Sequence, residues 1–149
     1  MWQHRVGDLY TGRIEMVVGP MFSGKTSELI RRLKRHSIAG MKCLAIKYQK
    51  DIRYSADNIS THEKVIYHAK PTMELLPLFG EARNYDVIGI DEGQFFGDVI
   101  KFATDLRNCG KTVIISALDM DFRREPFAFT AMLMAISDEC QKMKSRSEE

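Results

Sequence analysis

Residues 17–26 read Val-Val-Gly-Pro-Met-Phe-Ser-Gly-Lys-Thr, a glycine-containing loop at the end of a run of apolar residues. The spacing from Gly19 to Gly24, Lys25 and Thr26 matches the pattern G-x-x-x-x-G-K-S/T at every position. Backbone N–H groups in such a loop, at the amino end of a helix, bind phosphate oxygens. The stretch therefore predicts a nucleoside-triphosphate site between a strand and a helix. The alternative is a chance glycine turn with an exposed lysine, and the flanking strand and helix argue against it.

Strand-like and helix-like segments alternate on both sides of this loop. Leu29, Ile30 and Leu33 recur on one face of the helix after the loop, and Gly40 is a stop signal for that helix. The polar stretch 51–63 is expected to be a surface loop, and residues 141–149 are expected to be disordered. The predicted strands are 13–18, 43–48, 85–90 and 113–116, and the predicted helices are 25–36, 71–80 and 98–108. This alternation favours an α/β fold with a parallel sheet.

The length and composition are those of one globular domain, residues 1–149, with 44% hydrophobic and 28% charged residues. A net charge of +2 is too small to indicate nucleic-acid binding. No segment approaches the about 20 apolar residues of a membrane helix, and the N-terminus lacks the apolar core of a signal peptide. The three cysteines, Cys43, Cys109 and Cys140, are odd in number and far apart, which indicates a reducing compartment. A cytoplasmic protein without nucleic-acid or membrane partners is expected.

A second chemical signal is the pair Asp91-Glu92, which follows the apolar segment 87–90. In phosphate-loop enzymes an aspartate at such a strand end supports Mg²⁺, and the loop threonine hydroxyl ligates the same ion. Thr26 and Asp91 are therefore the predicted Mg²⁺ ligands, while Lys25 is predicted to reach the β- and γ-phosphates. Glu92 could orient or deprotonate an attacking group, either water or a substrate hydroxyl. The alternative is a solvated acid pair that caps a helix.

The motifs GPMFSGKTSELIRR, CLAIKY, DIRY, TH, DVIGIDEGQFF, GKTVIISALD and REPF follow one another in this order. With them the sequence resembles the type II (cellular-type) thymidine kinases from about Arg13 to Phe127. A general ATPase or GTPase would not be expected to carry both DIRY and DEGQFF. The resemblance implies a P-loop (RecA-like) parallel sheet flanked by helices, and a dimer or tetramer. It also implies transfer of the γ-phosphate of ATP, with Mg²⁺, to the 5′-hydroxyl of thymidine, which gives thymidine monophosphate.

The resemblance assigns roles residue by residue. Glu92 matches the family's general base, and Arg53 is expected to stabilise charge on the transferred phosphoryl group. For Arg53 the alternative is a solvated loop arginine. Glu92, Arg53 and Lys25 are the predicted catalytic residues. The residues predicted to bind the nucleotide are Gly19, Pro20, Met21, Phe22, Ser23, Gly24, Lys25, Thr26, Asp51, Ile52, Arg53, Asp91, Glu92, Gly93 and Gln94.

Five apolar positions match residues that line the family's thymine pocket, where a pyrimidine ring stacks on aromatic faces. They are Met21, Phe95, Leu118, Phe122 and Phe127. The alternative is ordinary core packing, since Met and Phe are common core residues. Phe122 has polar neighbours, Asp121 and Arg123, and is the position most expected to contact a ligand.

The chain departs from the family after Phe127, where residues 128–149 are divergent and are expected to be a partly disordered tail. Family members carry two Cys-x-x-Cys pairs there, whereas this segment has Cys140 alone, so no zinc site and no C-terminal zinc-binding domain are expected. An exposed sheet edge, partial nucleotide binding and reduced thymidine turnover are predicted from this difference. Two further functions stay open: an inactive nucleotide-binding partner of full-length subunits, and a general phosphate-loop ATPase.

Overall fold

The computed structural model of the chain describes residues 12–49, 58–60, 66–121, 123 and 125–144. The strands in these ranges are β1 (Arg13–Gly19), β2 (Cys43–Tyr48), β3 (Asn58–Ser60), β4 (Ile66–His68), β5 (Lys70–Thr72), β6 (Val87–Asp91), β7 (Thr112–Leu118) and β8 (Glu139–Lys142). The α-helices are α1 (Lys25–Ile38), α2 (Phe79–Ala82), α3 (Val99–Asn108) and α4 (Ala128–Ile136), and 3-10 helices span Leu76–Leu78 and Gly93–Phe95. None of the helices in the described ranges is long and apolar enough to cross a membrane.

Six strands form one parallel sheet in the order β5-β2-β6-β7-β1-β8, and β3 and β4 form a separate antiparallel pair. Gly19 pairs with Leu118 across β1 and β7, and Lys47 pairs with Asp91 across β2 and β6. The carboxyl ends of β1, β6 and β7 therefore lie at one edge of the sheet. Open parallel α/β sheets bind their ligands outside this edge. The predicted parallel α/β sheet is confirmed.

Helices cover both faces of the sheet because successive strand residues point to opposite faces. In β1, Met16 and Val18 pack in the core cluster that contains α3, whereas Val17 packs in the cluster that contains α1. Burial of a side chain of this size contributes about 1.5–3 kcal/mol. The buried residues of α1 are Leu29, Ile30, Arg32 and Leu33, and those of α3 are Val99, Phe102, Ala103 and Leu106. The apolar face expected for the helix after the phosphate loop is confirmed.

The centre of β6 carries Gly89, which lets α1 lie close to the sheet. A Cβ atom at this position would lie 2.7 Å from Cδ1 and 3.0 Å from Cδ2 of Leu33, which is fully buried. Interiors are packed densely enough that such an added carbon forces its neighbours to move. Gly89 therefore fixes the distance between the phosphate-loop helix and the middle of the sheet.

Strand β8 adds to the sheet beside β1 and is the last strand on that side, with all four of its residues exposed. The register runs from Glu15 opposite Glu139 to Val18 opposite Lys142. The N–H of Met143 continues this contact by donating to the Val18 carbonyl at 2.7 Å. Gln141 and Lys142, which were predicted to be disordered, belong to this strand. Residues 145–149 lie outside the described part of the chain.

Arg32 on α1 holds β8 through its guanidinium group, although its side chain is only 6% exposed. Nε donates to Glu28 Oε2 at 2.8 Å, and Nη1 donates to Glu15 Oε1 at 2.8 Å. Nη1 also donates to Glu139 Oε1 at 2.8 Å, and Nη2 donates to Gln141 Oε1 at 2.6 Å. A buried charge needs such partners to offset its loss of hydration. One side chain thus joins α1, β1 and β8.

The predicted helix over 71–80 is wrong over its first half and confirmed from Leu76, where a 3-10 helix is followed by α2. Lys70–Thr72 forms the edge strand β5, and helical structure begins only at Leu76. Proline removes a backbone donor and is confined to sheet edges and the first turn of helices, which fits Pro71 in β5 and Pro77 at the start of the 3-10 helix. Residues 58–60, inside the expected loop 51–63, form β3, and the rest of that loop lies outside the described residues.

Candidate active site

The predicted phosphate-binding loop spans 19–24, between the end of β1 and the first residue of α1. Gly24 precedes the helix with φ of 88°, a left-handed conformation that favours glycine. Phe22 also has a positive φ, 62°. The Ser23 hydroxyl is buried and has no hydrogen-bond partner within the described structure. Since buried polar groups are normally paired, this hydroxyl suits a ligand oxygen in the loop.

Lys25 is the first residue of α1, and its ammonium lies against the loop. Nζ donates to the Pro20 carbonyl at 3.1 Å. Burial lowers the pKa of Lys25, while the nearby carboxylates of Asp91 and Glu92 act in the opposite direction. A half-buried ammonium that is poorly hydrated interacts more strongly with an anion than a solvated one does. The first residue of α1 thus places an ammonium group against the loop and near the acid pair.

Asp91 ends β6 and faces the start of α1. Its Oδ1 accepts hydrogen bonds from Thr26 Oγ1 at 3.1 Å and from Ser116 Oγ at 2.7 Å. Burial raises the pKa of Asp91, and the bond from Ser116 counteracts part of that effect. The serine is itself buried in β7 and was missed by sequence reasoning. Its one available signal was a hydroxyl inside the apolar run Val113–Ala117.

Thr26 and Asp91 form a site with hard oxygen ligands. Mg²⁺ in nucleotide sites typically takes one or two protein oxygens together with phosphate oxygens and water. The direct bond between the threonine hydroxyl and the carboxylate fits this donor set. Within the described ranges, no group of three or more His, Cys, Asp or Glu side chains has a metal-holding arrangement.

Glu92 follows Asp91 in a left-handed conformation, with φ of 57° and ψ of 48°. A non-glycine residue there is disfavoured by roughly 1–2 kcal/mol, and such strain concentrates at functional sites. The turn starts the 3-10 helix Gly93–Phe95 and leaves Glu92 half-buried, near enough to Lys25 for their charges to interact. The acid pair is thus the end of a strand followed by a tight turn. Asp91 is buried, so the pair is not a solvated one, and Glu92 is the N-cap residue of the 3-10 helix without a capping hydrogen bond from its side chain.

The side chain of Gln94 is buried and points to the end of β7. Its Oε1 accepts a hydrogen bond from the Leu118 N–H at 3.0 Å. Leu118 also accepts, through its carbonyl oxygen, a bond from Thr130 Oγ1 at 2.9 Å. Thr130 is fully buried on α4 and carried no sequence signal of a functional role.

Several of the predicted thymine-pocket residues are at or near the same edge of the sheet. Met21, on the loop, is 61% exposed and Phe95 is 39% exposed, so neither is a core residue. The Phe95 ring lies 5.2 Å from the Tyr48 ring, centroid to centroid. Leu118 ends β7, and Phe127 is half-buried at the start of α4. The predicted positions that lie outside the described residues are Asp51, Ile52, Arg53 and Phe122.

A sequence model of the thymidine kinase family matches residues 12–146. "Thymidine kinase 1" of Dictyostelium discoideum is 53% identical over 137 residues, which cover 89% of this chain and 60% of that protein. Human "Thymidine kinase, cytosolic" is 46% identical over 132 residues, which cover 89% of this chain and 56% of the human protein. The raccoon poxvirus "Thymidine kinase" is 45% identical over 132 residues, which cover 89% of this chain and 74% of the viral protein. The chain thus spans well under two thirds of the Dictyostelium and human relatives.

Among solved structures, the flagellar accessory protein FlaH from Methanocaldococcus jannaschii is similar in fold. The TM-score is 0.59 at 11% sequence identity, and the match covers 90% of this chain and 72% of that one. This likeness supports the P-loop type of parallel sheet flanked by helices.

Proposed function

Because the chain belongs to the thymidine kinase family, we propose that it transfers the γ-phosphate of ATP to the 5′-hydroxyl of thymidine. The observation that carries this proposal is the hydrogen bond between Thr26 and Asp91. It joins the phosphate loop to the acid pair at the carboxyl edge of one sheet, where a donor phosphate and an acceptor hydroxyl can meet.

The donor side of the proposed site is residues 19–26. The N–H groups of the loop and of the first turn of α1 would bind the phosphates, together with the unpartnered Ser23 hydroxyl. Lys25 would exchange its bond to the Pro20 carbonyl for the β- and γ-phosphates. Thr26 and Asp91 would hold Mg²⁺, which when bound neutralises charge on the phosphates.

The acceptor side needs a base, and we assign that role to Glu92. Its carboxylate would accept the proton of the 5′-hydroxyl as the oxygen forms its bond to the γ-phosphorus and the bond to the ADP oxygen breaks. Arg53 is proposed to stabilise the negative charge on the transferred phosphoryl group with its guanidinium. Asp51 and Ile52 precede it on the DIRY segment. The thymine ring would contact Met21 and Phe95, both exposed at this edge, with the remaining members of the predicted pocket around them.

A coupled assay of ADP formation tests the proposal, with ATP and Mg²⁺ in the presence and absence of thymidine. Thymidine-dependent ADP is expected. Glu92→Gln should lower kcat by about 100-fold or more, because it removes a general base, while binding of an ATP analogue is retained. ADP formation that is independent of thymidine would favour an ATPase instead. Binding of the analogue without turnover would favour the inactive nucleotide-binding chain.

Location and assembly are proposed on the family alone. The relatives from chicken and human are both described as cytosolic, and we propose the same compartment for this chain. A dimer or tetramer is proposed from the family resemblance, and light scattering coupled to size-exclusion chromatography measures it directly.

A further inference from the structure

We propose that Thr130 and Gln94 are positioning residues for the acceptor pocket, and that they act by fixing the backbone of Leu118 from two sides. The inference rests on the proposed function, since it assigns Leu118 to the nucleoside side of the site. Neither residue is proposed to touch the reacting atoms.

Leu118 is the last residue of β7 and lies beyond the point where β7 is paired with β6. The pairing of β6 with β7 ends at Ile90 opposite Ile115, because β6 ends at Asp91 and the chain turns at Glu92. On the other side, β1 still pairs with β7 at Gly19 opposite Leu118. The last residue of β7 therefore sits between the phosphate loop and the acid pair, beyond the end of its β6 partner.

Two side chains supply the hydrogen bonds that the missing strand would have made. Gln94 Oε1 accepts from the Leu118 N–H at 3.0 Å, and Thr130 Oγ1 donates to the Leu118 carbonyl at 2.9 Å. Gln94 is 6% exposed and Thr130 is fully buried. A buried polar side chain is costly unless it is paired, so each is committed to this one backbone residue.

The two bonds restrain both peptide planes that flank Leu118. Its N–H belongs to the preceding peptide and its carbonyl to the following one, so φ and ψ of Leu118 are both held. The direction of the leucine side chain and the exit of the chain into 119–127 are thereby set. That segment closes on itself, because the Phe127 N–H donates to the Asp119 carbonyl at 3.2 Å and Met120 bridges with Pro126. Thr130, at the start of α4, thus ties the far end of the segment to its beginning.

The donor side is built differently. The phosphate loop and its lysine are held by β1, α1 and Asp91, and none of the hydrogen bonds described for them involves α4. Loss of the Leu118 contacts should therefore affect the acceptor more than ATP. The measurable signature is a higher KM for thymidine, with little change in the KM for ATP or in kcat.

Steady-state kinetics of matched variants test this. Thr130→Val removes the hydroxyl at nearly constant volume, and the KM for thymidine is expected to rise roughly tenfold. The KM for ATP and kcat should stay within about twofold. Thr130→Ser keeps the hydroxyl and should restore the thymidine KM. Gln94→Met, which removes the acceptor of the Leu118 N–H, should also raise the thymidine KM. Only the thymidine KM of this variant is compared, because Gln94 is also one of the predicted nucleotide-binding residues.

Ser137→Ala is the matched control at the end of the same helix, where Ser137 is the C-cap residue. It deletes a hydroxyl that donates to the Met134 carbonyl at 2.9 Å, away from Leu118. It should leave the thymidine KM unchanged. Hydrogen–deuterium exchange of peptides over 117–127 gives a readout without turnover, and faster exchange is expected in Thr130→Val but not in Ser137→Ala.

The possible failures are distinguishable. A wild-type chain without thymidine-dependent ADP overturns the proposed function. If the wild type is active and neither Thr130→Val nor Gln94→Met changes its KM for thymidine, the positioning role is overturned. Equal losses in both KM values and in kcat, without rescue by Thr130→Ser, also overturn it, because they indicate general destabilisation.

Discussion

Removal of the Arg32 guanidinium should weaken the fold more than any other single charge deletion on α1. In Arg32→Met the apolar part of the side chain is largely kept, while all four of its hydrogen-bond acceptors lose a donor. Glu15 and Glu28 are mostly buried, with side-chain exposures of 12% and 11%. Their carboxylates would have to be rehydrated or protonated in the folded protein.

The size of the loss follows from what remains around the two buried carboxylates. Loss of one partner from a buried ion pair costs about 3–5 kcal/mol. Glu15 keeps Arg13 at 2.7 Å, and Glu28 keeps Arg31 at 2.6 Å, so neither carboxylate is left alone. The lower end of the range, about 3 kcal/mol of unfolding free energy, is therefore expected.

The assay is urea unfolding at pH 7 followed by far-UV circular dichroism, with Arg31→Met as the control. Arg31 is the adjacent residue on the same helix, but its side chain is 55% exposed, so its replacement should lower the unfolding free energy much less than that of Arg32. Hydrogen–deuterium exchange should also accelerate in β8 of Arg32→Met, since Glu139 and Gln141 lose their bonds. Equal losses in the two variants, or a loss under about 1 kcal/mol for Arg32→Met, would refute this account of the network.

Three other outcomes are expected. Gly89→Ala should lower the unfolding free energy by about 1–3 kcal/mol because its methyl carbon would lie 2.7 Å from α1, whereas Gly80→Ala, with open space around it, should be neutral or slightly stabilising in a melting experiment. Hydrogen bonds from Arg31 and Arg32 lower the pKa of Glu28 to about 2. The stabilising effect of the ionised Glu28 is therefore complete above its unfolded pKa, about 4.5, and is lost as the pH falls towards 2. In Glu28→Gln the melting temperature should depend less on pH within that window. Burial raises the pKa of Asp91, so ionisation of this carboxyl destabilises the folded protein as the pH rises. Asp91→Asn should therefore raise the melting temperature of the ligand-free protein at pH 7. It should lower kcat by about 100-fold, because it removes a proposed Mg²⁺ ligand.

The parts of the site that were predictable from sequence are those in which neighbouring residues act together. The loop from Gly19 to Thr26 carries its own conformation and its own ligands, and the strand before Asp91 is a continuous apolar run. The loop and the strand are each formed by residues that are consecutive in the chain, so the sequence alone predicts where they lie. Their contact at 3.1 Å could be expected as well, because the carboxyl ends of parallel strands lie at one edge.

The remaining features depend on residues far apart in the chain. Arg32 and Gln141 are separated by 109 positions, and Ser116 and Asp91 by 25. In sequence, Arg32 is one of several basic residues on an amphipathic helix, and nothing marks it as the buried one. The error in the first half of the predicted helix 71–80 has a local cause, since Pro71 lacks the backbone donor of a helix interior and lies in the edge strand β5.

Residues after Phe127 support both sides of the proposed reaction, although sequence reasoning treated them as a divergent tail. Thr130 holds the end of β7 on the acceptor side. Beyond α4, β8 lies along β1. A Cβ atom at Gly19 would lie 2.7 Å from the carbonyl oxygen of Met143, the residue after β8, so the end of this strand also leads onto the first residue of the phosphate loop. Changes in α4 should therefore alter thymidine kinetics, whereas changes that detach β8 should act first on ATP binding. The two effects are separable because the helix and the strand contact different strand ends.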